Sequence, residues 1–386
     1  MKRIYSIDFV RGFVMIIMAL DHVRDLIHKN SITQSPTNLE TTSPILFFTR
    51  WITYLCAPTF VFLAGTSAYV AFKRDNDVSK NRNFLLKRGF YLIALEFVVV
   101  NFALFFDVGY HSLLFEVIAS TGFGFIILGL LLKLPLKSIG IIGLVIIFCH
   151  NLAAIIPLAE TSAFKKILMP FFAPAAFPFS NRVFVMGYPP IPWLGIMLVG
   201  FACGKLFELA AVQRKKLFLK IGVCALLLFV VVRFINIYGD SVPWSSQKNN
   251  LYTFLSFMNV TKYPPSLVFC LVTLGFMFLF LALSEETKGW FMNVATVYGK
   301  VPLFYFLLHF FLVHIILLAV LFLQGFTWTQ MDFVSGNFGR PKGVDSGVSL
   351  LAIYFIWISV VIALYKPCKW FGAYKASHKK WWLKYI

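Results

Sequence analysis

Charged residues are scarce in this chain, and acidic residues are scarcer still. Only 13% of the 386 residues are Asp, Glu, Lys or Arg, and just 16 acidic residues leave a formal net charge of +19. The hydrophobic share is 59% and the mean hydropathy is +0.80, in repeated apolar runs of about twenty residues. These values exclude an ordinary soluble domain, and the sequence predicts an integral membrane protein with many helices.

Cysteine is also sparse, with six residues scattered singly along the chain. A free cysteine inside an apolar run behaves as a small hydrophobe, and neither a disulfide framework nor a zinc spacing is present. His22, His309 and His314 have no ligand spacing, so no metal is expected. A cleaved signal peptide fits poorly because Asp8 and Arg11 interrupt the first apolar stretch.

The fold class predicted from these runs is all-α, with about ten transmembrane helices and broken or re-entrant outer segments. Little chain is left between the runs for a separate soluble domain. Residues 1–386 are therefore predicted to form a single transmembrane domain. The predicted spans are 5–28, 45–72, 85–107, 113–133, 138–158, 189–211, 216–238, 265–284, 299–324 and 347–366.

Lys and Arg are distributed unequally between the two sides of these spans. Most of them fall on the side that includes the N-terminus, and the positive-inside rule then places both termini in the cytoplasm. The basic, tryptophan-rich segment 366–386 is typical of an interfacial helix on anionic lipid. The positive charge is thus explained by orientation and lipid contact, and nucleic acid is not expected as a partner.

The connections on the opposite side, 158–188 and 239–264, are long and rich in aromatic residues. Segment 168–192 holds six prolines and cannot form one regular helix. Apolar backbone without helical hydrogen bonds must be covered by protein or line a cavity. We expect a lid or partial plug over an outward cavity, and an apolar loop on the bilayer surface stays open as the alternative.

The first helix carries a polar stripe at helical spacing. Arg11 and His22 are eleven residues apart, which returns them to nearly the same helix face about 16 Å further along. Charged side chains avoid hydrocarbon, so this face should meet protein or water. A structural ion pair between Asp8 and Arg11 is the alternative for that end. The stripe consists of Asp8, Arg11, Met15, Met18, His22 and Asp25.

Polar groups recur in later spans. Glu96 lies in the third span, where an ionisable group indicates either a functional site or a pairing with a nearby Arg. Tyr305 and His309 share one face of the ninth span, as site residues or as hydrogen-bonded core residues. Asn259, Lys262 and Tyr263 lie in NVTKYPPSL, whose prolines fix a broken helix start that can hold an anion or a carbonyl oxygen.

Five segments resemble a known family. SIDFVRGFVMIIMALDHVRD, CAPTFVFLAGTS, YPPIPWLGIMLVGFACG, NVTKYPPSL and GKVPLFYFLLH are similar to the bacterial family related to the membrane catalytic domain of heparan-alpha-glucosaminide N-acetyltransferase. The Arg11 and His22 spacing also resembles the R-x(10)-H pattern of membrane acyltransferases that O-acetylate bacterial surface polysaccharides. The resemblance implies acyl transfer from cytoplasmic acetyl-CoA, or another acyl-CoA, to an amine or hydroxyl of a sugar or glycoconjugate beyond the membrane, and a location in the bacterial cytoplasmic membrane.

The residues suit that reaction. His22 is the expected base or transient acyl acceptor, because imidazole serves either role near pH 7. Asp25, or Asp21 beside it, is expected to orient the imidazole.

Other residues would bind the two substrates. Arg11 would bind a CoA phosphate or hold the tunnel through Asp8, and Arg88 and Lys300 at the rim suit nucleotide phosphates. Asn259, Lys262 or Tyr263 would stabilise the oxyanion, with Tyr305 and His309 as further substrate-site candidates.

Two other classes stay open. A transporter or flippase of a small polar or lipid-linked substrate would also place charges within helices around a cavity. A non-enzymatic scaffold or sensor would tolerate replacement of the polar stripe. The expected partners of the enzyme are the lipid bilayer, acyl-CoA and a sugar acceptor, and a homodimer stays open.

Overall fold

The computed structural model describes residues 4–155, 162–286 and 289–386. The end of the predicted span 138–158 and the beginning of segment 158–188 lie outside the described residues, as do residues 1–3 at the N-terminus.

The described chain is largely helical, and the predicted all-α polytopic class is confirmed. Eight helical rods are long and apolar enough to cross a membrane. Two further helices, the charged α1 and the shorter α6, account for the other predicted spans. The helices are α1 (Tyr5–Ile27), α2 (Pro44–Ile52), α3 (Cys56–Asp75), α4 (Val78–Leu95), α5 (Asn101–Phe105), α6 (Val117–Leu131), α7 (Leu136–Cys149), α8 (Ala163–Leu168), α9 (Pro190–Cys203), α10 (Ala211–Ile235), α11 (Asn250–Met258), α12 (Leu267–Ser284), α13 (Trp290–Gly299), α14 (Pro302–Leu323) and α15 (Leu350–Ser377).

Helix α1 packs against α2, α3, α12, α13, α14 and α15. Two glycines allow α1 and α13 to approach closely. A Cβ on Gly12 would lie 1.7 Å from the Ala295 carbonyl oxygen, and one on Gly299 would lie 1.8 Å from the Asp8 carbonyl oxygen. Small residues at such a crossing let two membrane helices pack backbone to backbone. The charged stripe of α1 is therefore surrounded by protein.

The proline-rich segment 168–192 forms part of a three-stranded sheet and the start of α9. Strands β2 (Ala175–Phe179) and β3 (Arg182–Met186) pair antiparallel, and β1 (Ser112–Phe115) pairs parallel with β3, with Ser112 opposite Val183. The strand pairing gives this non-helical backbone its hydrogen bonds.

The last helix continues past the predicted span 347–366 into the segment 366–386, where the sequence predicts an interfacial helix. Helix α15 continues through Pro367 to Ser377, beyond the predicted end at 366, and a 3₁₀ turn follows at Trp381–Lys384. Tyr385 stacks on Phe84 at a centroid distance of 5.7 Å, so the basic tail packs against the start of α4.

Candidate functional site

A cavity of about 400 Å³ follows the polar face of α1. Arg11, Met15, Met18 and His22, four members of the predicted stripe, line it together. We call one part the His22 end, lined by Asp21, His22, Glu116, Tyr188 and Lys262, and the other the Arg11 end, lined by Arg11, Asn81, Arg88, Lys300 and Lys375.

His22 pairs with a second histidine from a distant part of the chain. Its Nδ1 lies 2.5 Å from Nε2 of His309 on α14, and its ring stacks on Phe310 at a centroid distance of 4.3 Å. His309 is fully buried, and its Nδ1 lies 3.2 Å from the carbonyl oxygen of Tyr305. The aromatic contact and the hydrogen bond together fix the orientation of the His22 ring.

The hydrogen-bond network assigns the tautomers of both histidines. A carbonyl oxygen only accepts, so His309 donates from Nδ1 and keeps a lone pair on Nε2. His22 must then donate from Nδ1 to that lone pair. His22 is left with its own lone pair on Nε2, the state that a base or nucleophile needs.

Asp21 and Asp25 belong to an ion-pair network with two arginines. Arg24 donates to Asp21 at 2.8 Å and to Asp25 at 2.5 Å, while Arg50 on α2 also donates to Asp21 and lies 3.9 Å from Asp25. Both Asp21 oxygens are occupied by guanidinium groups. The orienting partner of the His22 Nδ1 is thus His309, whereas the sequence predicts Asp25 or Asp21 in this role.

Lys262 is a buried cation at the same end. Its side chain is only 7% exposed, and its ammonium lies 5.0 Å from the ring centroid of Tyr263 and 5.8 Å from that of Tyr188. Within the described residues it makes no hydrogen bond and no ion pair. Burial, together with the neighbouring Tyr263, raises the pKa of the Tyr188 phenol, so this hydroxyl stays protonated. Tyr188 and Tyr263 oxygens lie 3.4 Å apart.

The loop that carries Lys262 is held by buried polar contacts. Asp240 accepts from the Thr261 backbone N–H at 3.0 Å and from the Ser266 hydroxyl at 2.9 Å. Arg233 donates to the Asn259 carbonyl oxygen at 2.8 Å, and the Asn259 amide donates to the Thr37 carbonyl oxygen at 3.2 Å. Asn259 is thus a loop contact here and is not among the residues lining the cavity.

Glu116 brings a carboxyl group into the cavity directly before α6. Burial raises the pKa of this carboxyl to about 7, against the lowering effect of Lys262. Glu96 plays a different part, since its Oε2 accepts from the Ala119 backbone N–H at 2.9 Å and so caps the first turn of α6. Asn101 joins this region to β1, donating to the Leu114 carbonyl oxygen at 2.9 Å.

Cations dominate the Arg11 end. Arg11 donates to the Leu63 carbonyl oxygen at 2.8 Å and to the Ser67 hydroxyl, and Arg88 donates to the Lys384 carbonyl oxygen at 3.0 Å. Lys300 and Lys375 line the same mouth. Asp8 is buried on α1, at the crossing with Gly299.

The structure therefore brings some predicted residues together and separates others. Arg11, Asp21, His22, Arg88, Lys262 and Lys300 line one cavity. His309 and Tyr305 support His22 from behind, with Tyr305 fully buried and its ring 5.6 Å from that of His309.

Glu116, Tyr188, Arg50 and Lys375 were missed by the sequence reasoning. Glu116 had a usable signal, because it is a lone acid between two apolar stretches, as Glu96 is. The pairing of His22 with His309 had none, since it joins positions 287 residues apart.

Within the described residues, no group of three or more His, Cys, Asp or Glu side chains is placed to hold a metal ion. A comparison with protein families matches residues 3–239 to a family model described as the catalytic region of heparan-alpha-glucosaminide N-acetyltransferase. No curated protein matches the chain. The matched stretch includes His22 and Glu116, whereas Lys262 and His309 lie beyond it.

Proposed function

The chain belongs to the family of the heparan-alpha-glucosaminide N-acetyltransferase catalytic domain, a family of transmembrane acetyltransferases, and from this premise we propose that it transfers an acyl group from acyl-CoA to an acceptor across the membrane. The acceptor is an amine or hydroxyl of a sugar or glycoconjugate. The whole chain acts as one unit, since residues beyond the matched stretch supply His309 and Lys262.

The pairing of His22 with His309 carries this proposal. His309 holds the Nδ1 proton of His22, so the His22 Nε2 lone pair is available to take a proton from the acceptor or to bind the acyl group briefly. As a base, His22 removes the proton while the acceptor forms its bond to the thioester carbonyl carbon. The C–S bond then breaks, and the CoA thiolate takes the proton from His22.

Lys262 supports the same step. Attack on the thioester places negative charge on the carbonyl oxygen, and a buried ammonium without a hydrogen-bond partner in the described chain suits that charge. Inside a protein such a charge interaction is stronger than in bulk water. Asp21, held by two arginines, keeps the local charge balanced beside His22.

The Arg11 end is the proposed entrance for acyl-CoA. Arg11, Arg88, Lys300 and Lys375 line this mouth, and clustered cations are the usual partners of phosphate groups. The middle of the cavity, with Met15, Met18 and Phe306, is apolar and suits an uncharged pantetheine arm. The positive-inside distribution supports a cytoplasmic location for this end and an outer location for the His22 end.

The test is reconstitution of the full chain in sealed liposomes with radiolabelled acetyl-CoA and a panel of amino sugars and alcohols. We expect labelled acceptor and released CoA with the wild type and a fall of about 10³-fold in His22→Ala. His314→Ala is the matched control, because His314 is another buried membrane histidine that lies against Leu104 and Phe106, away from the cavity.

Turnover that persists in His22→Ala would contradict the proposed role of that residue. Absence of CoA binding and of turnover with every acceptor would contradict the enzyme itself and favour a transporter that uses the same cavity.

A further inference from the structure

Glu116 occupies a helix N-cap without capping the helix. A side chain at this position commonly accepts a hydrogen bond from the backbone N–H two or three residues on. Glu116 makes no such bond, although its backbone is extended as an N-cap requires. The N–H of Ala119 instead donates to Glu96, whose carboxyl group is buried and belongs to the neighbouring helical segment Val78–Phe105.

This exchange leaves the Glu116 carboxyl group directed into the cavity. Glu116 lines the His22 end together with His22 and Lys262, and its carboxyl group makes no hydrogen bond within the described part of the chain. Gly187 lies beside this carboxyl group, and a Cβ built on Gly187 would make only an ordinary contact, 3.7 Å from Glu116 Oε1. A carboxyl group in such a place has room to contact a bound molecule.

Acylation of an amine needs a second proton acceptor. Amino groups are protonated near neutral pH, so two protons must leave the nitrogen, whereas a hydroxyl loses only one. In the proposed reaction His22 holds one proton and passes it to the CoA thiolate. The other proton needs a different acceptor on the side from which the amine arrives.

We propose that Glu116 is a catalytic residue for an amine acceptor, binding its ammonium group and removing the first proton. This inference rests on the proposed acyltransferase function. Glu116 takes one proton from R–NH₃⁺, and the free amine forms a C–N bond with the thioester carbonyl carbon. His22 removes the second proton from nitrogen, the C–S bond breaks, and the thiolate takes that proton. The proton on Glu116 is released to water as the amide product leaves.

Other charged groups around Glu116 fit this role. Lys262 and Arg50 favour its carboxylate form, whereas Asp25, Asp21 and the neighbouring Glu96 oppose it. Such a balanced set lets one carboxyl group bind an ammonium ion and also accept its proton. An ammonium ion beside Glu116 would also offset the acidic groups nearby.

The experiment compares glucosamine and glucose as acceptors for the reconstituted full chain, with acceptor-free hydrolysis of acetyl-CoA as a third readout. In Glu116→Gln we expect transfer to glucosamine to fall about 100-fold. Transfer to glucose and hydrolysis should change less than about threefold, because each needs one proton acceptor and His22 supplies it. The exposed Glu40→Gln is the matched control and should leave all three rates unchanged.

The three readouts distinguish a failure of the proposed Glu116 role from a failure of the proposed acyltransferase function. CoA release that depends on His22, combined with equal losses for glucosamine and glucose in Glu116→Gln, would overturn the role of Glu116 alone. No His22-dependent CoA release in the wild type would overturn both. If Glu116→Gln does not fold, the conservative variant Glu116→Asp is measured with the same three readouts. A selective loss with glucosamine supports the proposal, and an equal loss of all three rates assigns Glu116 to structure and overturns it.

Discussion

The two ends of the cavity use charge in opposite ways. At the His22 end, Asp21 is held between Arg24 and Arg50, so negative and positive side chains compensate each other within a fixed ion-pair network. At the Arg11 end, Arg88 and Lys300 line the mouth, and no Asp or Glu side chain of the described chain lines it with them. Fixed, compensated charge suits chemistry at one place, whereas a group of cations at a cavity mouth suits binding of an anionic donor.

Removal of the Lys262 charge should have the largest effect on kcat and therefore tests this comparison first. Lys262→Met keeps the length of the side chain and removes its charge, so we expect kcat to fall about 10²- to 10³-fold as the oxyanion loses its ammonium partner. The KM for acetyl-CoA should stay nearly constant, since the donor phosphates bind at the other end. Steady-state kinetics in liposomes measure both constants.

The control for Lys262 is the exposed Lys248→Met in the same outer region. A raised KM for acetyl-CoA with unchanged kcat in Lys262→Met would mean that Lys262 binds the donor. The contrast between the two ends would then fail.

His309 is expected to act through His22. His309→Leu removes the acceptor for the His22 Nδ1 proton, and we predict a fall in kcat of about 30-fold. His309→Gln keeps an oxygen that can accept this proton and should recover most of the loss, which a merely space-filling role would not explain. His314→Gln is the control on the same helix. Equal losses in the leucine and glutamine variants would contradict the orienting role.

The Arg11 end should respond in KM. Lys300 is exposed at the mouth, so Lys300→Met should fold normally and raise the KM for acetyl-CoA about tenfold without changing kcat. The effect should shrink at high salt, because exposed charges are screened, and it should be smaller with acetyl-dephospho-CoA. Lys133→Met, an exposed lysine outside the cavity lining, is the control. A change confined to kcat would contradict donor binding at this end.

Sequence periodicity and composition were enough for the fold and for one wall of the cavity. The apolar runs predicted the membrane rods, and the helical spacing of Arg11, Met15, Met18 and His22 predicted that they share a face. These features repeat every few residues along a helix, so a single sequence contains them. The family resemblance added the reaction class, and the family match supports it.

Pairings between distant elements could not be predicted in this way. The expectation that Asp25 or Asp21 orients His22 came from their proximity in sequence, but both carboxylates are engaged by arginines, one of them from α2. His309 reaches His22 because α14 packs against α1. The position of the Glu116 carboxyl group in the cavity could not be predicted either. It depends on Glu96, in the separate segment Val78–Phe105, which accepts the Ala119 N–H in place of Glu116.

A pH profile tests Glu116 without a substitution. Burial raises the pKa of its carboxyl to about 7, so the basic form is lost as the pH falls through that value. The ratio of glucosamine transfer to glucose transfer should therefore drop about fivefold between pH 7 and pH 6, because the deprotonated fraction falls by that factor. The ratio cancels the titration of His22, which both acceptors need. In Glu116→Gln the ratio should be flat, and a wild-type ratio without pH dependence would contradict the prediction.

Gly187→Ala should give the smallest kinetic effect, and it tests whether the acceptor and the donor bind at separate ends of the cavity. The new methyl group would lie 3.7 Å from Glu116 Oε1 and from the Phe115 carbonyl oxygen, an ordinary contact that leaves the fold intact. It narrows the space in which an ammonium group meets the carboxylate, so we expect the KM for glucosamine to rise about two- to threefold. The KM for acetyl-CoA should not change. Gly289→Ala, where a Cβ meets no atom within 4 Å, is the control. Equal sensitivity of both substrates would mean that the acceptor and the donor do not occupy separate ends of the cavity.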